Sequence, residues 1–133
     1  SPAVCCVGAA RAITQFFFDN DGYERFVERV RRAGIYVPIV PGILPIHNFR
    51  AVSNFAGRCK THIPAWLAER FEGLENDPQT HALIASAIAA EQVLDLVDRG
   101  VRDFHFYTMN RPDLVFAVCR LIGVREEHVD AAA

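Results

Sequence analysis

The sequence predicts an α/β protein built from parallel βα units, and two observations indicate this class. Three short runs rich in β-branched and aromatic residues alternate with longer segments whose apolar residues recur at helical spacing. Glycine and proline stand between these segments, where the chain must turn. The order strand, helix, strand, helices, strand, helix is typical of right-handed crossovers in a parallel sheet. At 133 residues, the chain is expected to form a single domain over residues 1–133.

The first strand is predicted over "AITQFFF", residues 12–18, because a β-branched pair and three consecutive phenylalanines indicate a strand buried on both faces. The segment "DNDGYERFVERVRRAG" follows as a helix, and Gly34 supplies its left-handed stop. The second strand is predicted over residues 35–40, closed by the loop "PGILP". Pro38 removes one ladder hydrogen bond from it.

Three helices are predicted next. Asn48 can cap a helix over "FRAVSNFAG", and Pro64 can open another over "AWLAERFEG" as a first-turn proline. A longer helix begins near Pro78 and ends at Gly100. Its inward face is predicted from apolar residues at helical spacing, namely Leu83, Ala87, Ala90, Leu94 and Val97.

The third strand is predicted over residues 102–107, and Asn110 is placed to cap a last helix over "RPDLVFAVCRLIG". Strand alternation puts Phe104 and Phe106 on one side. The other side carries Asp103, His105 and Tyr107. Polar residues near the carboxyl end of a barrel strand belong to a site more often than to a core.

Charge and composition exclude several classes of function. A formal charge of −2 gives no reason to expect nucleic acid or an anionic membrane as partner. No apolar run is expected to approach the roughly 18–20 residues needed to span a bilayer. The opening "SPAVCCVGAA" lacks the basic start of a signal peptide, so the cytoplasm is expected. The histidines form no metal-binding spacing, and the cysteines are expected to be buried free thiols: Cys5, Cys6, Cys59 and Cys119.

Gln15 stands in the middle of the first predicted strand and needs hydrogen-bond partners. Burying a primary amide without them costs about 1–3 kcal/mol. Neighbouring backbone or water could satisfy it, and so could a ligand. In parallel sheets the chemistry collects at the carboxyl ends of the strands, which directs attention to the loops "FFFDND", "VPGILPIHN" and "FYTMNRP".

Four motifs, "ITQFFFD", "PGILPIHNF", "IPAWLAERFEGL" and "DFHFYTMNR", occur in an order and at spacings that resemble the carboxyl-terminal part of bacterial methylenetetrahydrofolate reductase. The resemblance covers residues 8–125. It implies part of a TIM-type (β/α)₈ barrel in an FAD-dependent oxidoreductase of one-carbon metabolism and methionine biosynthesis. In that family NAD(P)H reduces FAD, and the flavin reduces 5,10-methylenetetrahydrofolate to 5-methyltetrahydrofolate.

The resemblance also implies roles for individual residues. Gln15 matches the family glutamine that hydrogen-bonds the folate pterin, and Arg111 matches an arginine that contacts the folate. Phe55 falls where the family covers the ring shared by folate and nicotinamide. Without the resemblance, Arg111 would be interpreted as a solvated surface residue and Phe55 as a core residue of a helix.

Two further residues, Tyr107 and Met109, are candidate neighbours of flavin or folate, without assigned chemistry. His105 is expected to be a hydrogen-bonded core histidine. No metal site is predicted, and no catalytic residue is assigned, because the family's proton-donor glutamate and most groups that hold FAD belong to barrel strands that this sequence lacks.

By this resemblance the chain holds about the last three of eight barrel strands. Residues 1–7 form an atypical leader where the family has a lysine-bearing helix, and the tail at 126–133 has no interpretation. One hypothesis is a reductase segment that is inactive alone and does not retain FAD. The alternative is a non-catalytic half-barrel that serves in binding or assembly. Either one leaves strand edges uncovered, so a homo-oligomer is expected.

Overall fold

The computed structural model describes residues 4–7 and 11–123. Within them the strands form one sheet in the order β1-β2-β3-β4. The strands are β1 (Val4–Val7), β2 (Ala12–Phe16), β3 (Ile39–Ile43) and β4 (His105–Phe106). β2, β3 and β4 run parallel, which confirms the predicted α/β class and its partial parallel barrel.

Helices connect the parallel strands, as the crossover rule requires. Their bounds are α1 (Asn20–Arg32), α2 (Phe49–Cys59), α3 (Ala65–Phe71), α4 (Pro78–Asp98) and α5 (Pro112–Leu121). Three of these helices begin with a side-chain cap, from Asp19, Asn48 and Asp77, of which the sequence predicted Asn48. The other two, α3 and α5, begin at a proline without a side-chain cap. The positions of the helices follow the sequence prediction closely because a cap or a proline marks each start.

The second strand differs from its prediction, since it spans Ile39–Ile43 instead of residues 35–40. The guanidinium of Arg31 donates to the carbonyl oxygens of Ile35 and Val37, each at 2.9 Å, and so holds that stretch against α1. The first strand also ends two residues early, at Phe16, and the third has only two residues in the ladder.

The atypical leader contributes a strand that the sequence did not predict. β1 pairs antiparallel with the outer edge of β2, with Val4 opposite Thr14 and Val7 opposite Ala12. The edge of β2 that was expected to be open is therefore covered. The tail at 126–133 lies outside the described residues.

Along β2, burial alternates instead of being complete on both faces as predicted. Ala12, Thr14 and Phe16 are buried, whereas Ile13 and Gln15 are half-buried. The β2–β3 register shifts between Ile13 and Phe16, which places a bulge at Thr14 and Gln15. At this bulge the Gly42 amide donates to the Thr14 hydroxyl at 2.9 Å, so a side chain satisfies the backbone donor.

The buried side chains form two clusters. One joins the carboxyl end of β2 to α2, α3 and α4, and includes Phe16, Leu44, Val52, Leu67 and Ile88. The other joins β3 to α1, α4 and α5, and includes Tyr23, Ile43, Val93, Leu96 and Val118. Phe104 and Phe106 pack on the second cluster, which confirms the alternation predicted for the third strand. Helix α4 contributes residues to both clusters and so connects them.

The inward face of α4 agrees with the predicted one only in part: Ala90 is buried and Ala87 is half-buried, but the three larger predicted residues face outward. Leu83, Leu94 and Val97 are 72%, 47% and 48% exposed. The buried face instead carries Ala85, Ser86, Ile88, Ala89, Ala90, Val93 and Leu96. Small residues occupy much of this face, which allows α4 to pack closely against α5.

Helix α4 is also long and apolar enough to cross a membrane, judged by length and composition alone. The expectation that no segment approaches this length is therefore wrong for α4. Charged residues interrupt the apolar run, but mean hydropathy over 18 residues still reaches 1.3. Its buried face packs against α5 and the sheet, as the core helices of globular domains do.

Tyr23 ties α1 to β3, and replacing it tests that link. Its hydroxyl donates to the Ile39 carbonyl at 2.6 Å, and burial raises its pKa to about 12. We expect Tyr23→Phe to lower the free energy of unfolding by about 1–3 kcal/mol, because a buried carbonyl loses its donor. The unfolded tyrosine ionises near its ordinary pKa of 10.0, so stability of the parent should fall from about pH 10 to about pH 12.

Urea unfolding of parent and variant across this pH range measures both effects. The variant should lose the alkaline decline that Tyr23 causes. An unchanged midpoint at neutral pH would contradict the hydrogen bond as a stabilising contact.

Candidate functional site

Gln15 lies next to the last residue of β2, at the carboxyl end of the parallel sheet. Its side chain is half-buried, and no hydrogen bond to its amide forms within residues 4–7 and 11–123. A primary amide carries two donors and two acceptor lone pairs. The donors and acceptors of the Gln15 amide are therefore available to a ligand or to water.

Beside it, Tyr107 crosses over β3 and ties the end of β4 to β2. Its hydroxyl donates to the Thr14 carbonyl at 2.8 Å, and its amide donates to the Ile43 carbonyl at 2.8 Å. The crossing passes directly over Gly42, where an added Cβ would lie 2.6 Å from both Tyr107 Cε2 and the Thr14 carbonyl oxygen. Only glycine leaves room for the ring at this point.

Phe55, on α2, reaches the same end of the sheet. Its ring stacks on Phe16 with centroids 5.8 Å apart and planes 19° apart, and it is 38% exposed. Phe16 follows Gln15 in β2, but burial alternates along this strand and the two side chains lie on opposite faces. The stack therefore brings Phe55 to the same end of the sheet as Gln15, without placing its ring against the Gln15 amide. The interpretation of Phe55 as a core residue does not fit this exposure.

Arg111 occupies the N-cap position of α5 and makes no capping hydrogen bond. Its guanidinium instead forms a two-pronged pair with the Asp113 carboxylate, both contacts at 2.9 Å. This pairing holds the pKa of Asp113 below its usual range. The prediction that Asn110 caps the helix is wrong, because Met109 and Asn110 both adopt left-handed backbone, at φ 46° and 61°.

His105 lies in β4 and contacts the Tyr107 ring edge-on, with centroids 4.8 Å apart. The described residues give its imidazole no hydrogen bond, so the expected hydrogen-bonded core histidine is not found. Burial lowers its pKa, and the positive charge of Arg11 adds to this effect. The imidazole is therefore neutral at pH 7, and its ring packs against that of Tyr107.

A cavity of about 660 Å³ opens next to Arg111, between the first turn of α2, the α3–α4 segment and the start of α5. We call it the histidine cavity. The residues that line it include His47, Asn48, Arg50, Glu75, His81 and Arg111. His81 Nε2 accepts the Phe49 amide at 3.2 Å, and the His81 ring packs on Phe71 at 4.6 Å. His47 Nδ1 is buried, and no described residue pairs with it.

The structure therefore distributes the predicted site residues over two neighbouring places. Gln15, Phe55 and Tyr107 gather at the carboxyl end of β2, through contacts with Phe16 and Thr14. Arg111 faces the histidine cavity, and Met109 lies exposed at the preceding turn. Sequence reasoning missed the two cavity histidines, because residues 47 and 81 are far apart in sequence and belong to no motif.

No group of three or more histidines, cysteines and carboxylates that could hold a metal ion occurs in the described part of the chain. Cys59 and Cys119 are free thiols, which confirms the prediction for these two, although Cys59 is only half-buried. Burial raises the pKa of the Cys119 thiol, so it is a poor nucleophile.

A parallel βα sheet with its polar and aromatic side chains collected at the carboxyl ends of the strands is the arrangement of an α/β enzyme. The sequence profile of the methylenetetrahydrofolate reductase family matches residues 3–123, and the chain belongs to that family. Its homologues are named methylenetetrahydrofolate reductases, which are oxidoreductases, so the chain belongs to a family of enzymes.

Two curated relatives show the extent of the match. The 5,10-methylenetetrahydrofolate reductase of Escherichia coli K12 is 50% identical over 118 residues, or 89% of this chain and 40% of that protein. The enzyme of Pectobacterium carotovorum is 48% identical over 120 residues, or 90% of this chain and 40% of that protein. The chain thus spans about 40% of the length of these relatives.

One solved structure is also similar to the chain. It is an uncharacterized protein from Clostridium thermocellum whose description states that it binds two copies of 5-methyl-5,6,7,8-tetrahydrofolic acid. The TM-score is 0.47 at 17% sequence identity, over 83% of this chain and 41% of that chain. A likeness at this level adds nothing to the family membership.

Proposed function

We propose that this chain forms the carboxyl-terminal part of the catalytic barrel of an FAD-dependent methylenetetrahydrofolate reductase and carries part of its folate pocket. The observation that supports this most directly is the amide of Gln15, which is half-buried at the carboxyl end of β2 and has no hydrogen bond to any described residue. A pterin has a planar face and an edge of alternating donors and acceptors. An amide that donates and accepts matches the edge. The exposed ring of Phe55, at the same end of the sheet, suits the planar face.

Each site residue then takes a role in binding. Gln15 pairs with the pterin edge, and Phe55 covers the ring that lies beside it. Arg111 meets the carboxylate-bearing tail of the folate, because a guanidinium fork suits a carboxylate. Tyr107 and Met109 are neighbours of the bound ligands, and Tyr107 also fixes the bulge that carries Gln15.

FAD and NAD(P)H are the proposed redox partners of the full-length protein, in which the flavin would supply hydride to the folate. The residues described here do not fit the phosphate-bearing part of FAD, since the sequence has no glycine-rich phosphate loop. We therefore expect the chain alone to be inactive and not to retain FAD. A cytoplasmic homo-oligomer remains our proposal, with β1 and β4 as the two edge strands of the described sheet.

The substitution Gln15→Glu in the full-length protein tests the folate role. It keeps side-chain length but replaces the amide donors with acceptors, so the pterin edge meets an anion where it needs a donor. We expect the folate half-reaction to slow by roughly 5- to 150-fold, which corresponds to about 1–3 kcal/mol. Flavin reduction by nicotinamide should change little, because it does not need this pairing.

Stopped-flow measurement of the two half-reactions separates the outcomes. Gln79→Glu is the matched control, because Gln79 is exposed at the start of α4, away from Gln15. It should leave both half-reactions unchanged. Equal slowing of both half-reactions by Gln15→Glu would mean that Gln15 supports the flavin or the fold, and the proposed role in folate binding would be wrong.

A further inference from the structure

Helix α4 carries an apolar face that no described element covers. Leu83 is largely exposed there, and Leu94 and Val97 are half-exposed. Only 44% of the most apolar 18-residue window of this helix is buried. Single leucines on a surface are ordinary, but three large apolar side chains on one face of one helix form a patch, and such patches mark interaction surfaces.

The exposed residues belong to a regular repeat along α4. Intervals of four, three, four and three residues separate Leu83, Ala87, Ala90, Leu94 and Val97. These are the intervals of the a and d positions of a coiled coil, in which one helix packs along another. Ala90 is buried and Ala87 is half-buried, so the row is low in its middle and high at the leucines. We call this row of five residues the α4 seam.

The α4 seam is nearly symmetrical about its middle. An antiparallel copy centred between Ala87 and Ala90 would place Leu83 of one copy opposite Leu94 of the other, and Ala87 opposite Ala90. A two-fold contact needs this self-complementarity, because the same patch serves on both subunits. The small central residues let the two helices approach closely, and the leucines then pack against each other at both ends.

The charges of α4 also favour an antiparallel copy. The acidic residues of the helix, Glu91, Asp95 and Asp98, all lie in its carboxyl-terminal half, whereas residues 78–90 contain no Asp, Glu, Lys or Arg. Antiparallel packing places each acidic half beside the uncharged half of the other copy, toward the partial positive charge of a helix N-terminus. Parallel packing would instead set the acidic residues opposite one another, which is unfavourable.

Two other occupants of this face fit less well. Further βα units of a barrel would join the sheet at its edge strands, whereas α4 lies inside the helix layer with α5 already packed against it. A helix that lies on a membrane surface carries Lys and Arg on its polar face, and α4 has neither residue. A second copy of the protein is the partner that both the spacing and the charges match.

We infer that the α4 seam is a contact between two copies of this protein, packed antiparallel about a two-fold axis. The contact goes beyond the proposed function and uses neither the sheet edges nor the folate site. A single pair of helices buries less than the roughly 1,200 Å² of a standard interface, so the contact is weak and forms at micromolar or higher protein concentration. Unfolding of dilute protein is therefore measured on copies that are separate at this face.

Sedimentation velocity of the full-length protein over a range of concentrations tests the inference. Leu94→Glu sets a carboxylate against the apolar Leu83 of the other copy at both ends of the contact. We expect it to weaken association roughly 10- to 100-fold. The double variant Leu83→Lys with Leu94→Glu should recover most of the association, because each new ammonium then faces a new carboxylate across the axis.

Ile35→Glu is the matched control, because Ile35 is 50% exposed, much like Leu94, but lies beyond the end of α1 and outside the seam. It should leave association unchanged. Association through other faces is common to all the variants, so it does not enter the comparison. Far-ultraviolet circular dichroism should show every variant to be folded, since each replaced side chain is exposed.

Several results would overturn the inference. These are a full-length protein that stays monomeric at every concentration, an unchanged association of Leu94→Glu, and a double variant that recovers nothing. Flotation with phosphatidylcholine vesicles is the further measurement, and vesicle binding that Leu94→Glu abolishes would show a membrane contact in place of a second copy. None of the replaced residues belongs to the folate site, so these outcomes are independent of the result with Gln15→Glu.

Discussion

Gly42→Ala is expected to destabilise the protein by about 3 kcal/mol or more. The new methyl carbon would lie 2.6 Å from the Thr14 carbonyl oxygen and 2.6 Å from Tyr107 Cε2. The tyrosine ring could rotate away, but the carbonyl belongs to the neighbouring strand and cannot move without distorting the sheet. Overpacking of a tight interior typically costs about 1–3 kcal/mol, and contact with fixed backbone lies at or above the upper end.

The displacement of Tyr107 should also reach the site. Its hydroxyl would lose the hydrogen bond to the Thr14 carbonyl, at the bulge that carries Gln15. In the full-length protein we therefore expect weaker folate binding at temperatures where the variant is still folded. The urea midpoint reports the loss of stability, and equilibrium titration with folate reports the effect on the site.

Gly57→Ala is the matched control for this change. Gly57 lies in α2, and nothing stands within 4 Å of an added Cβ there. Alanine in a helix interior should stabilise by roughly 0.5–1 kcal/mol relative to glycine. If Gly42→Ala proved as stable as the parent, the close crossing of Tyr107 over β3 would be refuted.

Leu96→Ala is expected to cost about 2–5 kcal/mol, the usual range for a fully buried leucine. Leu96 is 0% exposed, and it packs in the cluster that joins β3 to α1, α4 and α5. Its removal leaves a cavity that the surrounding rings can fill only in part. Thermal or urea unfolding gives the magnitude directly.

Leu94→Ala provides the comparison, with the same chemistry two residues away on the same helix. Leu94 is 47% exposed, so its truncation should change stability by no more than about 0.5 kcal/mol. The pair distinguishes the observed face of α4 from the face that periodicity predicted. A larger loss at Leu94 than at Leu96 would show that the orientation of the helix is wrong.

Local signals in the sequence were sufficient for most of the helices. Asn48 and Pro78 mark the beginnings of α2 and α4, and Gly34 and Gly100 follow the ends of α1 and α4 in left-handed backbone. These signals act within a few residues, so they can be recognised without the tertiary structure. The family motifs likewise lie in continuous segments, which is why Gln15, Phe55 and Arg111 could be proposed from the sequence alone.

The bounds of the second strand and the burial of α4 could not be obtained in this way. Arg31 holds residues 35 and 37 through their carbonyls, a contact that no local pattern indicates. On α4, apolar residues occur on more than one side of the helix, and only packing against β3 and α5 selects Leu96 over Leu94. Packing complementarity decides such cases, and it is a property of several elements together.

The sequence by itself determined the class of the fold, the order of its elements from β2 onward and the family of the chain, because each depends on short-range patterns and continuous motifs. The tertiary structure alone decided that β1 covers the edge of β2, and that Gly42 admits Tyr107. It alone brought His47 and His81 to one cavity with Arg111. These features join residues that are distant in the chain, and only the folded backbone brings them together.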